Sequence, residues 1–454
     1  MALRKYRVFV LLAVGAICLS ATSVFAQQGN GVIVDADGVF RTRVVSDPTG
    51  QLTRQRFLAA RAALAPDLAR PSKLRKISLT RLEAAIAQHL ATGQGLTDDM
   101  RYLAGLTRIT NVFFYPDTGD IVIAGPAEGY MPNVAGRIVG MHTGRAVLEL
   151  QDLVAALRAF PPTGEKTQAL VVSIDPTPEG LARMQQFLAA IRGQVTPRDA
   201  GRIAAGLKDN LGLQSVRIEG ISSKTHFAQV MLEADYRMKL IGIGLEKPAV
   251  KITSYVARAN PRSVARNALQ RWYFTPNYDC VRVSQDELAM ALEGDGVKLI
   301  GQDQLVQAHG GRVVTGQVDR ASRTFVHEFT AKYGQLAAKE PVYAQLRNLI
   351  DMAIAAAFIQ RYDYYGQAGW TMDVLGDEAQ FAIETFPEPK QVETAVNAIW
   401  KGNTLMTPVG GGVNIQPLMA LATDQMKLDE EGELKELRTQ VEVEGLAKDQ
   451  WWWD

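Results

Sequence analysis

"VYAQLRNLIDMAIAAAFIQRYDYY", residues 342–365, contains "LIDMAIAAAFI" (349–359), which is apolar around nearly its whole circumference except at Asp351. A helix without a polar face must be covered on every side. The apolar run is shorter than the roughly 20 residues a membrane span needs, so it reads as the buried central helix of a domain. Asp351 in such a place needs a partner: a salt bridge or capping contact is expected, with a ligand role as the alternative. Just before it, "SRTFVHEFTAKYGQLAAKEP" (322–341) reads as a second helix, with the break at Pro341.

The segments on either side are β-rich. "NALQRWYFTPNYDCVRVS" (267–284) sets three aromatics before a Pro-Asn turn, and "ELAMALEGDGVKLIGQDQLV" (287–306) is two β-like runs about Gly294-Asp295-Gly296. Trp272, Tyr273 and Phe274 should split between the two faces of a strand, the core taking most of them, rather than form an exposed platform. Beyond the central helix stands "TPVGGGVNIQP" (407–417). A phosphate loop needs a Gly-Lys dipeptide, which the chain lacks, and a dinucleotide fingerprint needs a third glycine where Ile415 stands. The triple glycine is therefore expected in a β-segment, permitting a bulge or the close approach of another backbone.

Toward the N-terminus, "GVIVDADGVFRTRVV" (31–45) reads as a hairpin about Asp37-Gly38. Its D-x-D-G lacks further calcium ligands, with Ser46 at the twelfth position. Helices are expected at 52–64 and at 78–93, the latter with Thr80 and Glu83 as a capping box. A hairpin follows at 111–125, then a strand at 136–141, a helix at 146–160, and a strand and helix within 169–193, with Pro178 near the helix start and Gly193 at its end. From 199 to 257 the reading is one helix, then strands at 213–219, 227–234 and 250–257. The fold class is α+β: a mixed α/β region over 27–258, a β-rich then helical domain over 259–426, and a tail over 427–454.

Catalytic signatures are incomplete. "HEFTA" (327–331) has Ala331 where a zinc-protease helix needs its second histidine, and "GISSK" (220–224) has Lys224 where a hydrolase elbow closes with glycine. His89, His142, His226, His309 and His327 are scattered singly and read as structural or surface residues. Cys280 reads as a small buried apolar residue. No catalytic residue, cofactor or metal site is assigned.

The first residues set the compartment. Arg4, Lys5 and Arg7 precede an apolar run from Val8 to Leu19, and Val24 and Ala26 stand at −3 and −1 before Gln27. That order is a secretory signal peptide, residues 1–26, and predicts a periplasmic or secreted protein with no integral span after cleavage. Cys280 is then the lone cysteine, so no intramolecular disulfide is expected. The formal charge of +1 includes the three basic residues of the leader, leaving the remainder near −2. Such a balance excludes a broad basic field for nucleic acid.

Taken together, "NPRSVARNALQRWYFTP" (260–276), "AKEPVYAQLRNLIDMAIAAAFI" (337–358) and "VGGGVNIQP" (409–417) resemble a family of exported planctomycete proteins defined only as a domain of unknown function, over about residues 100–420. The resemblance implies a bacterial envelope protein and brings no site residue with it. The tail "KLDEEGELKELRTQVEVEGLAKDQWWWD" (427–454) holds nine acidic and four basic residues. It reads as a solvated extension ending in Trp451, Trp452 and Trp453, which are expected to dock on an envelope partner or on the chain itself. The function expected from all this is a non-catalytic envelope protein that binds or assembles with other components. The alternative is an exported hydrolase, for which Asp363, Tyr362, Tyr364, Tyr365 and His327 are the available material.

Overall fold

The computed structural model describes residues 31–454 apart from 44, 165–166, 192–195, 261–267, 278–279, 307–311, 315–318, 398, 402–403, 407–411, 441–442, 444 and 448. The leader, Gly193, His309, Gly410 and Gly411 lie outside the described residues. The fold is α+β, built on two mixed sheets.

The central helix runs Pro341–Arg361, with Pro341 in its first turn, where a missing N–H costs nothing. At 21 residues it is long enough to cross a membrane, longer than its apolar stretch alone indicates, but that stretch is wholly buried within the fold. Its companions are the helices Leu150–Ala159 and His226–Gly242, and the latter lies on the strands Leu170–Asp175, Gly412–Ile415 and Ala268–Pro276.

Those three strands are neighbours in the nine-stranded sheet, which takes strands from Val32–Val34 through to Gly412–Ile415 and so draws on both sides of residue 258. The hairpin at 31–45 forms as expected, with Val32–Val34 pairing Val39–Thr42 about the Asp37-Gly38 turn. Trp272 and Phe274 point to one face and are fully buried. Trp272 Nε1 donates to Ser322 Oγ at 2.9 Å, and Phe274 meets Phe329, Tyr333 and Tyr343. Tyr273 faces the other way, half-buried, with Arg271 over its ring.

Gly412 starts a strand held between Leu170–Asp175, antiparallel, and Ala268–Pro276, parallel. A Cβ there would come within 2.9 Å of the Tyr273 ring and 3.0 Å of the Val172 carbonyl oxygen. Close approach of neighbours is what the glycine provides. Gly412→Ala is expected to cost about 1–3 kcal/mol, the usual effect of overpacking, read as a lowered urea midpoint; an unchanged midpoint would mean the sheet yields there at no cost.

Two expected strands are corrected. Residues 227–234 lie within the His226–Gly242 helix, which the Thr225 side chain caps by accepting from Ala228 N. That helix is buried on nearly every face, its polar Gln229 and Glu233 included, so it shows no apolar stripe by which to tell it from a strand. Residues 250–257 hold a turn and the start of a short helix, Tyr255–Arg258, capped by Ser254. The cap of Leu79–Ala91 is Ser78, not Thr80. Glu83 instead turns inward to accept from Trp370 Nε1 and from the backbone N–H groups of Val374 and Leu375.

The tail is no solvated extension. Its helix Glu433–Gln440 buries Leu434, which joins Val443 and Trp453 in a small core with Phe113, Val122 and Ala289. Trp452 and Trp453 then add an edge strand to the seven-stranded sheet, pairing antiparallel with Ile77 and Lys76.

Candidate functional site

Two helix N-termini converge in the interior. Glu149 is the N-cap of the Leu150–Ala159 helix and Asp152 stands in its first turn, while His226 opens the His226–Gly242 helix. The two helices pack together. His226 Nδ1 lies 2.8 Å from Asp152 Oδ2 and 3.9 Å from Glu149 Oε2, and the imidazole, Asp152 and Glu149 side chains are 1%, 6% and 11% exposed. Gln151 Nε2 donates to Glu149 Oε2 at 2.7 Å.

The electrostatics follow from this packing. Burial pulls the His226 imidazolium down, but the Asp152 and Glu149 carboxylates outweigh it and hold its pKa up at about 9. Burial likewise pushes the Glu149 carboxyl above its ordinary value, against the pull of His226. Helix N-termini favour negative charge, which suits the carboxylates and leaves them to hold the cation. Three polar atoms of the cluster remain without a hydrogen-bond partner: Asp152 Oδ1, His226 Nε2 and Gln151 Oε1. Buried polar atoms are nearly always paired, so a group of three is uncommon. Glu149 and Gln151 also line a cavity of about 130 Å³ with Tyr102, Phe381, Ile383 and Glu384.

Sequence reading took His226 as a scattered histidine because its partners, Asp152 and Glu149, lie more than 70 residues earlier. The available signal was Glu149-x-x-Asp152 at a helix start, where spacing of three brings two carboxylates to one side. The residues it named as hydrolase material do not converge. Tyr364 and Tyr365 are buried, Asp363 caps a short helix by accepting from Gly366 N, and His327 is exposed on another helix. Cys280 is fully buried in the main core.

The three tryptophans sit on their own chain. Trp451 and Trp453 are 5% and 8% exposed, and Trp452 lies under the Arg75 guanidinium at 4.7 Å. Asp454 clamps the strand by accepting from Arg75 Nε at 2.7 Å and Nη2 at 2.9 Å. Burial raises the Asp454 carboxyl, but the Arg75 hydrogen bonds outweigh it, and its pKa is held below the ordinary 3.8. A depressed carboxylate contributes stability above its unfolded pKa and loses it as pH falls through the folded value. The tail strand is therefore expected to loosen below about pH 4, read as a red shift of tryptophan emission that D454N displays already at neutral pH. Superimposable emission curves for the two proteins would refute it.

The model of a family described as a protein of unknown function (DUF1598) matches residues 172–255. That stretch begins in the Leu170–Asp175 strand, includes His226 and its helix, and lies apart from the three segments on which the sequence resemblance rests. No curated protein and no solved structure matches the chain.

Proposed function

We propose that the chain is an exported protein of a bacterial envelope, of a planctomycete kind, that binds or assembles with other envelope components and catalyses no reaction of its own. The observation that supports binding over catalysis is where the charged groups lie. Arg75–Asp454, Arg108–Asp351, Arg137–Glu233 and Lys239–Asp235 are matched in pairs within the fold, each with at least one member buried, rather than gathered on an open cleft. Catalytic groups with shifted pKa values need access to substrate. Two cavities among the described residues, about 460 and 370 Å³, are open and are lined by residues such as Arg282 and Glu433 or Asp67 and Arg70, with no serine, cysteine or histidine on their walls. Export rests on the basic, apolar and small-residue order of residues 1–26.

The helix Gln51–Ala63 supplies apolar surface for assembly: none of its residues is buried, and Leu52 and Leu58 are 39% and 54% exposed. Cell fractionation with N-terminal sequencing tests the reading. The protein is expected in the envelope fraction, starting at Gln27, and to migrate there in a larger assembly. Recovery from the cytoplasm with Met1 in place would overturn export; turnover of ester, peptide or glycoside substrates, abolished in H226Q, would favour the hydrolase reading.

A further inference from the structure

We infer that Glu149, Asp152 and His226 form a binding site for a divalent transition-metal ion of the zinc class. One donor atom from each lies within 4.8 Å of the others. A tetrahedral ion with bonds near 2.0–2.1 Å sets its ligand atoms about 3.4 Å apart. The observed separations from His226 Nδ1, 2.8 Å to Asp152 and 3.9 Å to Glu149, bracket that spacing, and the two carboxylates lie within 4.8 Å of each other, so side-chain shifts on the order of an ångström admit the ion.

The donor set selects the kind of ion. One imidazole and two carboxylates suit a borderline cation such as Zn²⁺, whereas Ca²⁺ asks for six to eight oxygens, more than this cluster offers. Two carboxylates neutralise a divalent charge completely. The second, independent observation is the set of unsatisfied atoms. Asp152 is more than nine-tenths buried, yet its Oδ1 has no partner while Oδ2 serves His226, and Gln151 Oε1 is likewise unpartnered on the amide that bonds Glu149. The bonds within the cluster leave both oxygens free to take a further partner. An ion takes up the Asp152 lone pairs, and Gln151 Oε1 or a water from the adjoining cavity completes the fourth position.

The test uses the purified full chain after dialysis against a chelator, and its outcome is independent of where the protein resides in the cell. One equivalent of Zn²⁺ is expected to bind and to raise the melting temperature, as any ligand of the native state must. Co²⁺ in its place is expected to give the intense visible bands of a four-coordinate site. E149Q and D152N should each weaken Zn²⁺ uptake by at least about tenfold; E149Q, at the more exposed position, serves should D152N fail to fold. No stoichiometric uptake by the wild type overturns the site. So does uptake that E149Q leaves unchanged, which would place the ion on exposed histidines such as His142 and His327, or a Co²⁺ spectrum like that of the solvated ion.

Discussion

Arg75→Ala is expected to destabilise the protein by about 3–5 kcal/mol, because it takes the donor from the buried Leu68 and Ala104 carbonyls, at about 1–3 kcal/mol each, and empties the space of a large buried side chain. Arg75 is fully buried on the Ser72–Ser78 strand, and its fork holds three separate pieces of chain. Nε and Nη2 grip the Asp454 carboxylate, Nη2 also donates to the carbonyls of Asp67 and Arg70, and Nη1 donates to Ala104 O at 2.7 Å. Leu103 and Ala104 have φ of 44° and 48°, a left-handed conformation that costs non-glycine residues energy and persists only where neighbours enforce it. Removing the guanidinium therefore strips an anchor from a strained turn as well as from the tail.

Arg75→Lys should recover little of the loss, since an ammonium cannot donate in parallel to both oxygens of Asp454 and reach the carbonyls as well. Urea unfolding measures the stability, and limited proteolysis reports the tail, which should be cut between the Glu433–Gln440 helix and Trp451 in the variant alone. Wild-type stability with a protected tail would show that the sheet edge holds the tryptophans without the arginine.

What the sequence disclosed divides by the range of the interactions involved. The hairpins at 31–45 and 111–125 were legible because their turn residues, Asp37-Gly38 and Pro116 to Asp120, act locally. The central helix was legible because its apolar run is too long for a strand. The helix at 226–242 was not: covered on nearly every side, it has neither stripe nor alternation, and only the Thr225 cap marks its start. Strand order was out of reach, since Gly412–Ile415 finds its partners at 170–175 and 268–276. The cluster of Glu149, Asp152 and His226 is hidden for the same reason, each residue being unexceptional until two helix starts meet. The tail misled through its charge. Its acidic residues include Asp429, buried to accept from Leu434 N and Arg282, so a high count of carboxylates did not mean a solvated segment.

Asp351→Ala is expected to cost as much as the loss of Arg75, about 3–5 kcal/mol, because Asp351 compensates two buried arginines from the middle of the central helix. It is wholly buried and accepts from Arg108 Nε at 2.9 Å; Arg347, one turn earlier on the same helix, adds positive charge. Burial pushes the Asp351 carboxyl up, and Arg108 pulls it back only in part, so its net pKa lies above the ordinary value. The pair is thus a matched charge in a place that disfavours either member alone. Arg108 reaches Asp351 across Gly296, where a Cβ would come within 3.3 Å of both side chains, and donates by Nη1 to Gly294 O at 2.7 Å. That contact ties the bend at 294–296 to the central helix.

A double-mutant cycle separates the worth of the pair from the cost of breaking it. R108M and D351L should each destabilise strongly, by stranding the other charge. Together they should cost less than the sum by about 0.5–3 kcal/mol, the usual coupling of residues in contact, because well-packed apolar replacements of a buried ion pair are often tolerated. Additive losses would show that Arg347 or the 294–296 bend takes over the compensation when either partner goes, and that the pair is held by its surroundings rather than by its own attraction.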